Sequence, residues 1–136
     1  MSNLIVSAPS AQSSEPPIKS SAFWPEIDPV EIREQQRIDN TVPAPRLRWA
    51  IIEAIATTNQ ALLAWRFATA DGIASLAEIA ADEIDGTSIL VHRYRRAVGC
   101  LTKALLLERL RDFDATGKGD RKAEALTDPT DECRRD

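Results

Sequence analysis

The sequence predicts an all-α protein: a small helical bundle of two long antiparallel helices plus short flanking helices, preceded by an extended N-terminal arm. Three observations lead there. Glycine is scarce, with 5 in 136 residues, and alanine, leucine, isoleucine, arginine and glutamate dominate, which favours helix over sheet. Of the 8 prolines, all but one (Pro9, Pro16, Pro17, Pro25, Pro29, Pro43 and Pro45) fall in the first third, so helical continuity is broken there and free beyond. Apolar residues then recur at three- and four-residue spacing through two long windows, the period of a helix with one buried face.

Taken in order, residues 1–22 are rich in Ser, Ala and Pro and show no sustained period. They are expected to be disordered or an extended arm, and residues 23–136 a single helical domain. Phe23 and Trp24 precede Pro25, which holds the backbone there extended. Burying each ring is worth roughly 2–3 kcal/mol, so both are expected to be covered, either by their own domain or by a neighbouring subunit. A short helix follows from Asp28 as N-cap, with Pro29 at N1 and Glu31 at the capping-box position, running to about Ile38. The segment 41–45 is a linker.

A long helix is predicted from near Pro45 to about Ala70, with Gly72 as its stop. Its main stripe runs through Leu47, Ile51, Ala54, Thr58, Ala61 or Leu62, and Trp65. A second stripe through Ile52, Ile55 or Ala56, and Leu63 makes the apolar face too wide for one helix partner, and implies contact on two sides. Residues 71–88 connect, with a helical turn at Leu76–Ile79, and 82–88 reads as a turn before a helix that Thr87 or Ser88 can cap. The second long helix spans about 88–112. Gly99 inside it costs about 1 kcal/mol against Ala, and a close helix crossing there would explain it. The predicted core is Ile51, Ile55, Leu62, Trp65, Tyr94, Val98, Leu101 and Leu105. The segment 114–124 is a glycine-punctuated loop, and Pro129 permits one more short helix.

Nothing in the sequence builds a catalytic or metal centre, and no cofactor is expected. His92 is the single histidine, placed beside arginines, and a polar surface or interface role is expected of it. The 117–119 GKG lacks the preceding strand, the first glycine and the hydroxyl of a phosphate loop. Asp82, Glu83 and Asp85 do not follow a calcium-loop ladder. Cys100 and Cys133 have neither metal nor disulfide-framework spacing, which suits a reducing compartment. No apolar run is long enough for a membrane span, and the start lacks the basic and apolar regions of a secretion signal.

Charge is more informative. The net charge is -4, which argues against a freestanding nucleic-acid binder and leaves only local DNA contact. Yet residues 87–111 carry Arg93, Arg95, Arg96, Lys103, Arg109 and Arg111 against Glu108 alone, while residues 26–39 are mostly acidic. Such segregation reads as solvated faces, as complementary patches between subunits, or as a DNA-backbone face. Arg93, Arg95 and Arg96, with Phe23 and Trp24, are the candidate partner-binding residues. Lys118, Arg121 and Lys122, on the loop 116–122, are candidates for an intersubunit contact or for phosphates in a DNA channel.

Four segments, AFWPEIDP (22–29), VPAPRLRWAI (42–51), DEIDGTSI (82–89) and DATGKGDRKAE (114–124), resemble in order and spacing the head completion protein L family of Peduovirus-type contractile-tailed phages. The resemblance covers roughly residues 20–132. Family members extend past the 127–136 region with an amphipathic helix, where this sequence ends at Asp136. The resemblance implies a head–tail connector fold and a structural, non-enzymatic role. It implies a dodecameric homo-oligomeric ring that binds beneath the portal protein after DNA packaging, retains the genome, and offers a surface to the next neck or tail completion protein. It places the chain in the virion neck, and in the host cytoplasm before assembly. The competing expectation is a small helical adaptor or regulatory protein with no phage role.

Overall fold

The computed structural model describes residues 15–114, with side chains through Asp112. The chain is mostly helical. Helix α1 is Pro29–Gln35, α2 is Ala44–Ala61, α3 is Leu63–Thr69 and α4 is Ile89–Asp114, with a single 3-10 turn at Leu76–Glu78. A two-stranded antiparallel hairpin, β1 (Glu83–Ile84) and β2 (Thr87–Ser88), precedes α4, so the described fold is not all-α. The hairpin's cause is local. Asp85 (φ 56) and Gly86 (φ 75) are both left-handed, the requirement of a two-residue type I′ turn, and Asp-Gly is a preferred pair for it. The expected cap at the start of α4 is met by Ser88, whose hydroxyl accepts from Leu90 N–H at 3.2 Å.

Helix α1 starts as its sequence dictates. Asp28 accepts from Val30 N–H at 2.9 Å with Pro29 at N1. It ends in a Schellman pair: Ile38 N–H donates to the Arg33 carbonyl (2.9 Å) and Arg37 N–H to that of Glu34 (3.3 Å). The position that wants glycine in this motif is Arg37, at φ 54.

The long helix expected over 45–70 is present but interrupted at Leu62, whose backbone leaves helical values (φ -96, ψ 3) between α2 and α3. Neither glycine nor proline marks the break in the sequence. Ala70 N–H still closes on Arg66, and Gly72 turns the chain away at φ 81.

The core lies mainly between α2 and α4. Tyr94 meets Asn59 near the C-terminal end of α2, and Arg46 and Trp49 near its other end share a cleft with Leu106 and Arg109, so α4 runs back along α2. Leu47, Ile51, Ala54 and Ile55 of α2 are buried with Val91, Tyr94 and Val98 of α4. Of the expected core, Ile51, Ile55, Tyr94 and Val98 are fully buried, while Leu62, Trp65, Leu101 and Leu105 pack half-buried around them. Helix α1 crosses α4 at Gly99, where an added Cβ would lie 3.0 Å from Gln36 Nε2 and 3.3 Å from Ile32 Cδ1. The close crossing expected at that glycine is therefore real.

The N-terminal segment is tied to this core. Ile18 and Ile27 exchange both backbone hydrogen bonds (2.7 and 2.9 Å) as an isolated bridge, which closes residues 18–27 into a loop. Ile18 is itself buried, and Arg48 donates to the Pro16 carbonyl at 2.9 Å. Residues 15–20 carry no helix or strand apart from that bridge, and through Ile18 and Pro16 they lie on the helical domain.

Candidate assembly surfaces

Phe23 and Trp24 take the first of the two readings open to them. Both are buried, Phe23 to 2 % exposure. Their rings meet edge-on with centroids 4.8 Å apart, and the Arg66 guanidinium lies 4.4 Å above the Phe23 ring. The Leu76 N–H donates to the Phe23 carbonyl, pinning the loop under the 71–78 connection. Buried this way, the two rings serve the core of their own domain and leave only a slight edge, on the cleft they share with Arg95.

What the fold leaves uncovered is elsewhere. Trp49 and Phe67 are each 64 % exposed, and Ile52 and Leu63 lie between them, also exposed. On α2 the spacing 49, 52, 56 puts Trp49 and Ile52 on the side opposite the face that packs on α4, and Leu63 and Phe67 add exposed apolar surface on α3 beyond the break at Leu62. The sequence signals a second stripe through Ile52 and Leu63. Trp49 on α2 and Phe67 on α3 add to it, and the sequence carries no signal for them, because periodicity does not show which side of a helix the chain itself covers.

Two further features sit towards opposite ends of α4. Near its C-terminal end is a groove of about 740 Å³ between α4 and the α1–α2 linker, floored by Ile38, Val42, Leu106, Leu107 and Leu110. Inside the linker, Asp39 accepts from the Thr41 N–H (2.9 Å) and hydroxyl, and these bonds hold its carboxyl below the usual range. At the start of α4 is the hairpin, where Ile84 is 55 % exposed among the exposed Asp82, Glu83 and Asp85. His92 Nε2 lies 2.8 Å from the Ile84 carbonyl, which can only accept, so that nitrogen donates. The lone histidine is thus a strut for the hairpin.

The candidate arginines do not form one patch. Arg93 and Arg96 are exposed on α4, while Arg95 is half-buried and lines a small cleft with Trp24, Glu83 and Ser88. The acid-rich 26–39 segment includes α1, which packs across α4 of its own chain at Gly99. Lys118, Arg121 and Lys122 lie outside the described residues. Among the described residues no group of acids, cysteines or His92 could hold a metal ion, and no helix is long and apolar enough to cross a membrane.

A mostly helical chain with its aromatic cluster turned inward and large apolar side chains left on its surface has the features of small helical assembly proteins. Comparison with known proteins makes the class specific: the model of the phage head completion protein (GPL) family matches residues 18–136, and the chain belongs to that family. It is 44 % identical over 129 residues, 94 % of its own length and 76 % of the relative's, to the head completion/stabilization protein of Escherichia phage P2. No solved structure matches the chain. The family resemblance read from the four sequence segments is borne out.

Proposed function

We propose that the protein completes and stabilises the phage head as a structural component of the virion neck. In this reading it assembles as a homo-oligomeric ring, dodecameric by family resemblance, beneath the portal protein after DNA packaging. There it retains the genome and presents a surface for the next neck or tail completion protein. The observation that carries the reading is the uncovered stripe of Trp49, Ile52, Leu63 and Phe67, in a chain belonging to the head completion family. Exposed aromatics of this size mark a surface meant for a large partner, and the portal is the partner proposed for it.

Two finer proposals accompany it. Arg93, Arg95 and Arg96 are proposed to face a neighbouring subunit or neck protein. The 116–122 loop, with Lys118, Arg121 and Lys122, is proposed to meet either DNA phosphates in the channel or an adjacent subunit. The chain is proposed to act without cofactor or catalysis.

The test uses DNA-filled heads made without this protein. Added purified protein should bind them, slow DNA loss and allow tails to join. Heads that hold their DNA and accept tails equally well without it would sink the proposal. A protein that forms only dimers and ignores heads would favour the small adaptor reading.

A further inference from the structure

The hairpin and the groove are opposite in kind. The hairpin presents an exposed apolar residue, Ile84, beside the exposed carboxylates of Asp82 and Asp85, while Glu83 on the other strand face shares a cleft with Arg95 of its own chain. The groove is an apolar floor rimmed by cations: Arg37, Arg46, Lys103 and Arg109 line it, with Asp112 and the Thr41-bound Asp39 as its acids. A carboxylate-flanked isoleucine fits such a recess in both shape and sign.

The two cannot meet within one chain. The hairpin precedes Ile89, and the groove is reached around Lys103–Leu110 of the same helix. About 18 residues of helix at 1.5 Å each hold them roughly 27 Å apart. We propose that copies of this chain join head to tail, the hairpin of one copy seating Ile84 in the cation-rimmed groove of the next. This rests on the reading of the protein as an oligomeric neck component, and names the contact that links its copies.

Two local features suit the role. The hairpin is held ready for docking: Ile89 N–H donates to the Asp82 carbonyl at 2.9 Å and His92 braces the Ile84 carbonyl, so little ordering is left to do on contact. At the groove, an arginine occupies the left-handed position that glycine would fill without strain. The side chain of that strained residue lines the recess. Because the two surfaces differ, the contact is heterologous. Each copy uses one surface on each neighbour, which generates a ring where the rotation closes.

The experiment is a charge exchange read by light scattering over a concentration series. One variant carries Asp82→Lys and Glu83→Lys, leaving the turn residues Asp85 and Gly86 intact. The other carries Arg46→Glu and Arg109→Glu, both at exposed helical positions. Circular dichroism melts check that each variant folds. Wild-type mass should rise with concentration, and each variant alone should associate at least about tenfold more weakly. A one-to-one mixture should regain association, because lysine hairpins then meet acidic grooves and native hairpins meet native grooves. Added salt should weaken the wild-type contact. Variants that associate like wild type, a mixture that stays monomeric, or a wild type that never associates would each overturn the pairing. If wild type associates or binds heads while the exchange has no effect, only this pairing falls. If wild type does neither, the neck reading falls with it.

Discussion

Trp24 lies flat on Tyr94, with ring centroids 5.0 Å apart and planes within 10° of parallel. The stack joins the N-terminal loop to the core, because Trp24 belongs to the loop closed by the Ile18–Ile27 bridge and Tyr94 to α4. Trp24→Ala should destabilise by about 3–5 kcal/mol, since it opens a cavity against Tyr94 and Phe23 together. Trp24→Phe keeps part of the stack and should cost less. Denaturant unfolding of both variants measures the difference, and a Trp24→Ala loss under about 1 kcal/mol would show that the loop contributes little to the core.

Tyr94 ties the same region by its hydroxyl, which donates to Asn59 Oδ1 at 2.6 Å. Burial raises its pKa to about 12, against the opposing pull of hydrogen bonds with Ser20 and Asn59. The folded state thus holds the phenol's proton more tightly than the unfolded chain, whose value is near 10. The stability this contributes is fully present below pH 10 and is lost as pH rises through about 12. Tyr94→Phe should cost about 1 kcal/mol at neutral pH through the missing hydrogen bond. It should also flatten the fall in stability between pH 10 and 12 relative to wild type. Parallel stability curves for the two proteins in that window would contradict the assignment.

The α1–α4 crossing makes a graded prediction at Gly99. Alanine would gain about 1 kcal/mol of helix propensity but must push aside the Gln36 side chain, which also contacts Cys100 Sγ at 3.9 Å. Gly99→Ala should therefore lie within about 1 kcal/mol of wild type. Gly99→Leu has nowhere to go without lifting Ile32 and α1, and should cost about 1–3 kcal/mol or more. Hydrogen exchange at α1 amides is the direct readout, and only the leucine variant should raise it.

Much of this fold can be read from local sequence rules, and the exceptions have physical causes. Asp28–Pro29, Gly72 and Ser88 act through their own backbone neighbourhood, so local sequence announces them, whereas Gly99 is notable only as a glycine inside a helix and its cause is α1, distant in sequence. The α2 face of Leu47, Ile51, Ala54 and Ile55 follows from period. The sequence shows 82–88 only as a turn, because the strands flanking Asp85–Gly86 are two residues each, too short to show alternation. The break at Leu62 carries no local signal. The uncovered stripe was half legible, because periodicity shows that a helix has two apolar sides but not which one the chain itself covers. The groove is a pairing of residues far apart in sequence, from Arg37 to Asp112, and only the fold brings them to one place.

Arg37 yields a prediction in which stability and assembly part company. Arg37→Gly places the residue that prefers φ 54 in the Schellman position and should stabilise the monomer by roughly 0.5–1 kcal/mol. It also removes one cation from the groove rim. A higher unfolding midpoint together with weaker self-association is the expected pair of results. A lower midpoint would mean that the arginine side chain supports the monomer more than its backbone strains it.

The exposed stripe should separate binding from folding most cleanly. Trp49 and Phe67 each leave about two-thirds of their surface in water, roughly 200–300 Å² together by the usual size of such side chains. Replacing exposed apolar residues ordinarily changes stability by no more than about 0.5 kcal/mol each. The double variant Trp49→Ser, Phe67→Ser should therefore melt close to wild type and be more soluble. If the stripe is the portal-facing surface, this variant should fail to bind DNA-filled heads that lack the protein, while copy-to-copy association through hairpin and groove continues. Head binding is measured by co-sedimentation, and self-association by light scattering of the free protein. Loss of self-association with head binding intact would instead place the stripe between copies. Retention of both would show that the stripe, despite its exposure, is not an assembly surface.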